Sequence, residues 1–461
     1  MQDFDIIVIG AGPGGYPAAI RAAQLGKKTA IIEKEALGGT CLNWGCIPTK
    51  TLIASAERYH HATQSATFGV TAKGVTFDYA AMTARKAEIV DKLSGGVRML
   101  LQSNGVELIN GTARFEGPNR LSVLQPDGTT RWLSAVSIII AAGSDSAMPA
   151  FLPKDKRVMD SRAFLDLTEL PKKLLILGGG VIGCEFACMA AALGADVTVV
   201  EMLEDIVTVL DRDVRRVLRK RMETLGITLL TGTPLTDIAV KKNKVTGTFK
   251  DQRVEGDVLL VAVGRKPNTA LLDLARAGIK TDERGTIPVN AQGRTNVASV
   301  FAVGDLVTGS IQLAHAATQQ GVTAAEAAAG LKSKVERICP ACIFTSPEIG
   351  LAGLTENMAR QRGIAVKTAV FPFSALGKAM TAGETDGFVK WVCDPVTGQV
   401  LGAQAVGCHA TELIAEAALA IRNELTVHEI GNTIHCHPTL SEAWMEAAHA
   451  FHDACIHLPK R

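Results

Sequence analysis

The chain has almost no net charge: 48 Lys and Arg stand against 46 Asp and Glu, leaving +2. It therefore has no electrostatic footprint for nucleic acid. It also lacks a long hydrophobic run, since no apolar stretch reaches the roughly 18 residues that a membrane span needs. The opening MQDFDIIVIG has acidic residues where a signal peptide needs basic ones, so a cytoplasmic protein is expected. Ten cysteines in 461 residues are too few for a disulfide scaffold, and most should be small buried apolar side chains. With 47% apolar and 20% charged residues the composition is that of a soluble globular protein. The length exceeds what one hydrophobic core can fill and calls for several domains.

An internal repeat organises the first half. DIIVIGAGPGGYPAAIRAAQLGKKTAIIEK (5–34) matches KLLILGGGVIGCEFACMAAALGADVTVVEM (173–202) at a constant offset. Each copy has an apolar strand, a glycine turn, an alanine-rich helix ending in Leu-Gly, and a second strand ending on a glutamate. This is a βαβ unit written twice, and it implies an α/β fold with two Rossmann-like, doubly wound domains. Between the copies, 77–104 is helix-like, and SIIIAAGS (137–144) reads as a buried strand entering a loop. DVLLVAVGRKPN (257–268) and VFAVGD (300–305) are further buried strands, the latter followed by an alanine-rich helix (314–330). After Pro340 the strand-like GFVKWVCD and VLGAQAVG, and apolar helices near 410–422 and 440–452, read as an α+β C-terminal domain.

The glycines suit dinucleotides. Gly10, Gly12 and Gly15 in the first copy, and Gly178, Gly180 and Gly183 in the second, permit a tight turn, close approach to a pyrophosphate and close helix packing. The phosphates would then lie on a helix N-terminus, where free N–H groups and the dipole favour negative charge. Glu33 and Glu201 stand where a ribose acid belongs. No arginine follows in VVEMLED to meet a 2′-phosphate, which favours NAD over NADP on the second copy.

LGGTCLNWGCIPTK (37–50) places Cys41 and Cys46 among glycines, before Pro48 and Lys50. A metal site needs three or four ligands, and neither histidine nor a further cysteine lies near in sequence. A disulfide faces a geometric obstacle. Five positions apart on a straight helix the Cα atoms stand roughly 8–9 Å apart, beyond the limit of about 7 Å for a bridge. A bonded pair therefore requires a distorted segment, for which Gly45 and Pro48 provide the means. A thiolate at a helix start near Lys50 would have a lowered pKa. At the other end, HCHPTLSEA holds His435, His437 and Glu442. A histidine that takes a proton from a thiol needs a carboxylate to fix its tautomer, and Glu442 could do this for His437.

GAGPGG, GGTCLNWGCIPTK, GGGVIGCE, VGRKPN, FAVGD, LAHAA and HCHPTLSEA occur in order across nearly the whole chain. Together they resemble the FAD-dependent pyridine nucleotide–disulfide oxidoreductases, and within them the members that oxidise dihydrolipoyl groups. The resemblance implies an FAD-binding domain (1–145), an NAD-binding domain (146–268), a central domain completing the FAD site (269–337) and a C-terminal dimerisation domain (338–461). It places FAD on Gly10, Gly12, Gly15 and Glu33, with Thr40, Ala113 and Gly143 also at cofactor positions. Asp305 falls at the ribitol, Ala314 near the flavin, and Lys50, paired with Glu185, near the reactive flavin nitrogen. NAD falls on Gly178, Gly180, Gly183, Glu201 and the Gly264 loop. Cys41 would exchange with substrate and Cys46 would face the flavin, the two forming a redox disulfide. His437, oriented by Glu442, would be the acid–base, donated by the second subunit of a homodimer. No metal is implied. The expected partner is a lipoyl-bearing acyltransferase or carrier protein of a 2-oxo acid dehydrogenase or glycine cleavage system, on a separate chain.

Some positions depart from the family pattern. Cys436 stands where alanine is expected and should point away from His437. Trp44 is bulky between the two cysteines and is expected to narrow the site. CPAC (339–342) is a second C-x-x-C away from any glycine loop and reads as structural. Other disulfide reductases fit less well. A glutathione-reductase-like chain should carry arginines after the second repeat, a mercuric-reductase-like chain should end in a vicinal cysteine pair rather than in ACIHLPKR, and a soluble transhydrogenase should lack the cysteine pair. A non-catalytic flavoprotein subunit would need none of Cys41, Cys46, His437 and Glu442.

Overall fold

In the first repeat, strand Phe4–Ile9 is almost wholly buried and pairs in parallel with Thr29–Glu33 on one side and Thr130–Ile140 on the other. The computed structural model describes residues 2–336 and 338–459. Met1, Arg337, Lys460 and Arg461, and with them the outer limits expected for the domains and the end of ACIHLPKR, lie outside the described residues. Helix α1 (Gly15–Gln24) makes the crossover. It is followed by α2 (Gly39–Trp44), α3 (Cys46–Thr63) and the long α4 (Tyr79–Ser103), whose N-terminus Asp78 caps by accepting from the Ala81 N–H. Glu107–Asn110 extends the sheet, and the antiparallel strands Thr112–Gly117 and Arg120–Leu124 lead back to Thr130–Ile140. Strand Val300–Ala302 returns from much later in the chain to lie parallel on Ile138–Ile140. The segment after the second repeat thus completes the first sheet.

The second repeat builds a parallel sheet in the order 228–231, 196–201, 173–177, 258–261 and 158–159. Its helices are α5 (Ser161–Leu165), α6 (Val181–Ala192) and α7 (Arg212–Thr224). An antiparallel ribbon of Thr236–Lys241, Lys244–Phe249 and Gln252–Gly256 is inserted before Val258. Helix α8 (Ala314–Ala328) then packs on α1, so closely that a Cβ at Gly321 would lie 2.1 Å from the Gly14 carbonyl oxygen.

The C-terminal sheet has five antiparallel strands, with α9 (Glu356–Gln361), α10 (Gly377–Ala382), α11 (Ala410–Arg422), α12 (Val427–Asn432) and α13 (Glu442–Phe451) around it. All of Phe388–Cys393 is buried, because both faces of the sheet are covered. Val389, Trp391 and Cys393 pack under α11 and α13. Phe388, Ile349 and Val406 pack with Leu52 of α3 and Phe186 of α6. Trp391 donates its indole N–H to the Trp444 carbonyl at 3.0 Å, their rings 4.3 Å apart, so the core of this unit includes the helix that starts at Glu442. Among the described residues, no helix is long and apolar enough to cross a membrane.

Candidate active site

The two glycine turns are built alike. Gly10 and Gly178 take φ of 96° and 110°, which L side chains rarely adopt. A Cβ on Gly15 would lie 1.8 Å from the Gly10 carbonyl oxygen, and one on Gly183 would lie 2.0 Å from that of Gly178. By contrast, a Cβ on Gly180 would meet nothing within 4 Å and one on Gly12 only Gly39 at 3.8 Å, leaving room for a ligand. No acceptor among the described residues takes the N–H groups of Gly12, Gly14 or Gly180. These orphan donors at helix starts fit a pyrophosphate. The acids do double duty: Glu33 accepts from the N–H groups of Ala11 (2.7 Å) and Glu35 (2.8 Å), and Glu201 from those of Gly179 (2.6 Å) and Leu203 (2.8 Å). Each carboxylate oxygen keeps a lone pair for a ribose hydroxyl. The nearby arginines of α7 are engaged: Arg215 and Arg219 pair with Asp205 at 2.5 and 3.4 Å.

This arrangement separates two substitutions. Gly180→Ala should leave the fold and the FAD content intact while raising KM for NAD about tenfold, a cost of about 1.4 kcal/mol, because its methyl occupies the open space over α6. Gly183→Ala should instead depress the thermal midpoint, since backbone has to move. Steady-state kinetics beside a melting curve checks both.

The cysteine segment is broken where a disulfide requires it. Cys41 lies in α2 and Cys46 begins α3, and Gly45 between them takes φ −140°, ψ −110°. Both thiols are free. The S–H of Cys41 bonds the Cys46 sulfur. That bond, against burial and with help from the Lys50 ammonium, brings Cys46 down to about 7; together with burial it pushes Cys41 well up. The pair is polarised, with the negative charge on Cys46. Trp44 presents its ring to Arg162 of α5, whose guanidinium carbon lies 3.9 Å from the ring centroid and which also bonds Glu35 at 2.6 Å.

Two of the expected partners, Lys50 and Glu185, act on Cys46. Lys50 Nζ lies 2.7 Å from Glu185 Oε2 on α6, and Glu185, itself buried, also accepts from the Phe344 N–H at 2.9 Å. Ala314 opens α8, whose first intrahelical donor is Ala317, so N–H groups at that end are free for a ligand. Asp305 accepts from the Ser144 hydroxyl at 2.5 Å and lies 3.5 Å from Arg265 Nε, which also donates to Ser144 Oγ at 2.7 Å. The Gly143 and Gly264 loops are thereby tied together. Ser144 and Arg265 were not singled out from the sequence, although Arg265 lies in VGRKPN. Thr40 makes no side-chain hydrogen bond to a described residue and remains available. Ala113 is a buried strand residue opposite Val123, so any ligand contact there uses its backbone.

The base pair lies elsewhere. His437 Nδ1 bonds Glu442 Oε1 at 2.9 Å, and Thr439 N–H donates to the other oxygen at 2.8 Å. Burial works against ionisation of Glu442, yet these two bonds hold its carboxyl below its ordinary value. The His437 side chain is 77% exposed, and among the described residues no hydrogen bond or ion pair joins it to Cys41 or Cys46. Cys436 is exposed beside it. In CPAC, Cys339 bonds the Pro340 carbonyl and Cys342 that of Thr411, and the Pro340 carbonyl also takes His315 at 2.6 Å. The two sulfurs are thus engaged by different backbone groups. Among the described residues no three of His, Cys, Asp or Glu converge to hold a metal ion.

Residues 4–321 match the family model for pyridine nucleotide-disulphide oxidoreductases, and 339–448 match that family's dimerisation domain. The chain is 43% identical over 461 residues to a dihydrolipoyl dehydrogenase of Chlamydia pneumoniae, covering 100% of this chain and 99% of the relative. Among solved structures it superposes on LpdA of Mycobacterium tuberculosis with a TM-score of 0.90 at 30% identity, over 96% of this chain and 99% of that one. It superposes on the Cu(II) complex of RclA, an HOCl-induced flavoprotein disulfide reductase of Escherichia coli, at 0.88 and 28%, over 97% and 99%.

Proposed function

The chain belongs to the pyridine nucleotide-disulphide oxidoreductase family, and from that membership we propose that it is a dihydrolipoyl dehydrogenase, which oxidises protein-bound dihydrolipoyl groups through Cys41, Cys46 and FAD, with NAD as final acceptor. The observation that carries this reading is the polarised Cys41–Cys46 pair between a glycine cradle and the Lys50–Glu185 ion pair. FAD, when bound, supplies the two-electron acceptor between the thiols and NAD.

The protein's own steps follow from the two sulfurs. In the oxidised enzyme Cys41 and Cys46 share a disulfide. His437 takes a proton from one dihydrolipoyl thiol, and the thiolate attacks Cys41, breaking the Cys41–Cys46 bond. Cys46 leaves as a thiolate, stabilised by Lys50. His437 passes that proton to solvent and takes the proton of the second substrate thiol, whose thiolate attacks the first substrate sulfur, closes the lipoyl disulfide and releases Cys41 as a thiolate, which His437 reprotonates. What remains is a Cys41 thiol donating to a Cys46 thiolate, the arrangement described above. Glu442 holds His437 in one tautomer throughout.

The exposed side chain of His437, joined to neither Cys41 nor Cys46 of its own chain by a hydrogen bond or ion pair, supports its serving the cysteine pair of a second copy, and the dimerisation domain supports a homodimer. We assign the lipoyl group to an acyltransferase or carrier protein of a 2-oxo acid dehydrogenase or glycine cleavage system. We read the chain as cytoplasmic, in keeping with ten free cysteines.

Titration of the purified protein with NADH, then with dihydrolipoamide, tests the reading. A red thiolate-to-flavin absorption band and NAD-dependent turnover are expected. Turnover confined to glutathione with NADPH, or a flavin that neither donor reduces, would sink it.

A further inference from the structure

The segment between α12 and α13 carries His437 and projects from the molecule. Ile434 is 95% exposed, and Cys436 and His437 are exposed as well. One side chain of this stretch turns inward: that of His435 is only 6% exposed. Its Nδ1 lies 2.8 Å from the Thr433 carbonyl oxygen and its Nε2 lies 2.8 Å from Glu416 Oε1 on α11. The ring thus bridges the loop backbone and α11.

An open cavity of about 360 Å³ separates α11 from residues 438–441, with Lys378, His409, Glu412 and Glu416 on its wall. Beyond this cavity Leu440 is buried in the same core as Ile414 and Ala417 of α11, so the downstream end of the loop is held by apolar packing and its upstream end by the bond of His435 to Glu416. On its downstream half, Glu442 fixes His437 and Thr439, and the Thr439 hydroxyl bonds the Cys436 carbonyl at 2.7 Å. On its upstream half the strut is His435–Glu416. Both halves refer to one rail: α11 carries Glu416, and its Leu413 carbonyl accepts the Trp444 indole N–H of α13 at 3.1 Å. That rail is firm, with Ala410, Ile414, Ala417, Ala420 and Ile421 buried beneath it.

We propose that His435 is a positioning residue for the dithiol reaction, and that its latch to Glu416 sets the place of His437 relative to the cysteines of the other subunit. The inference rests on His437 being the base. A base displaced by about 1 Å loses on the order of a hundredfold in rate, so a latch one residue away from it, across Cys436, has ample leverage.

The test uses the FAD-loaded homodimer with dihydrolipoamide and NAD. His435→Leu and Glu416→Leu should each lower kcat about ten- to a hundredfold, with KM for NAD unchanged, and the double variant should fall no further than either alone. His435→Gln keeps a donor near the Nε2 position and should recover most of the loss. NADH oxidation by ferricyanide, which bypasses the thiols, and the dimer mass should match the parent protein. Unchanged dithiol oxidation in His435→Leu would overturn the proposal. So would a loss that accompanies dimer dissociation, or one that His435→Gln does not repair. His437→Gln is run alongside: if it too is unimpaired, the base assignment itself falls and takes this inference with it, whereas an impaired His437→Gln beside a normal His435→Leu removes the latch alone.

Discussion

Cys46→Ser should abolish dihydrolipoamide oxidation, by at least about a thousandfold in kcat, while FAD stays bound. The cradle for the nucleotide is made of Gly10, Gly12, Gly15 and Glu33 and does not involve the sulfur, so the yellow protein should survive purification. What is lost is the leaving group. With serine at position 46 no disulfide can form and no thiolate can lie beside Lys50, so the red band that follows reduction should be missing; a surviving band would show that Cys46 is not the sulfur facing the flavin. The partner sulfur gives a complementary result with a definite sign. Cys46 sits at about 7 chiefly because the Cys41 S–H donates to it, against the effect of burial. Cys41→Ala removes the donor and keeps the burial, so Cys46 should titrate higher and the reduced protein should carry less thiolate at pH 7.5. Thiolate absorption at 240 nm, followed from pH 5 to 9, should move to higher pH in Cys41→Ala and lose its lower step in Cys46→Ser.

The parts of this site that were legible from the amino-acid order are those whose physics is local. A Cβ on Gly15 would stand 1.8 Å from the Gly10 carbonyl oxygen, five residues back in the same turn, so the requirement for glycine is local and the repeat could be read directly from its spacing. The Cys41–Cys46 spacing stated its own difficulty, and the answer, a helix broken at Gly45, falls on a residue already suspected. The pairs that complete the site are another matter. Lys50 and Glu185 are 135 positions apart, and their pairing was implied by family resemblance, not by any local pattern. Trp44 with Arg162, and Ser144 with Arg265, had no sequence signal at all, because nothing in either neighbourhood specifies the other. Trp44, expected to narrow the site, has the guanidinium of Arg162 of α5 over its ring. The ribbon at 236–256 escaped for a different reason: its first turn is made by Lys242 and Asn243 at φ 48° and 64°, left-handed positions filled without the glycine that usually marks a hairpin. Helix α12 is too short for periodicity to show.

Lys390→Met should be the most damaging single change to stability, on the order of 3–5 kcal/mol. Lys390 is 1% exposed in the middle of the C-terminal sheet, and its ammonium lies 2.8 Å from Asp211 and 2.8 Å from Asp213, both in the NAD-side unit, with Glu356 at 3.9 Å. Asp211 begins α7 yet does not cap it. Its carboxylate instead accepts from Glu356 N–H (3.0 Å) and Asn357 N–H (2.9 Å) at the start of α9, and from the amide of the fully buried Gln404. The network thus welds the second unit to the dimerisation sheet, and methionine would fill the space while leaving the acids without their cation. Burial alone would raise the Asp211 carboxyl, and it is the Lys390 bond and the α9 N–H groups that bring it below its ordinary value. In the parent protein that lowered value is a stabilising contribution, fully present at neutral pH and lost only as acid reaches the folded-state value. In Lys390→Met the value should rise above the unfolded one, so the variant is penalised most at neutral pH and least in acid, where the carboxyl is protonated in both states. Melting of the FAD-loaded dimer at fixed concentration should therefore show a midpoint about 5–10 °C lower at pH 7.5 and a smaller gap at pH 5. Lys390→Met/Asp211→Asn, which removes the stranded charge, should recover part of the difference. A gap that stays constant with pH would mean that Lys390 acts through packing of its stem, not through its charge.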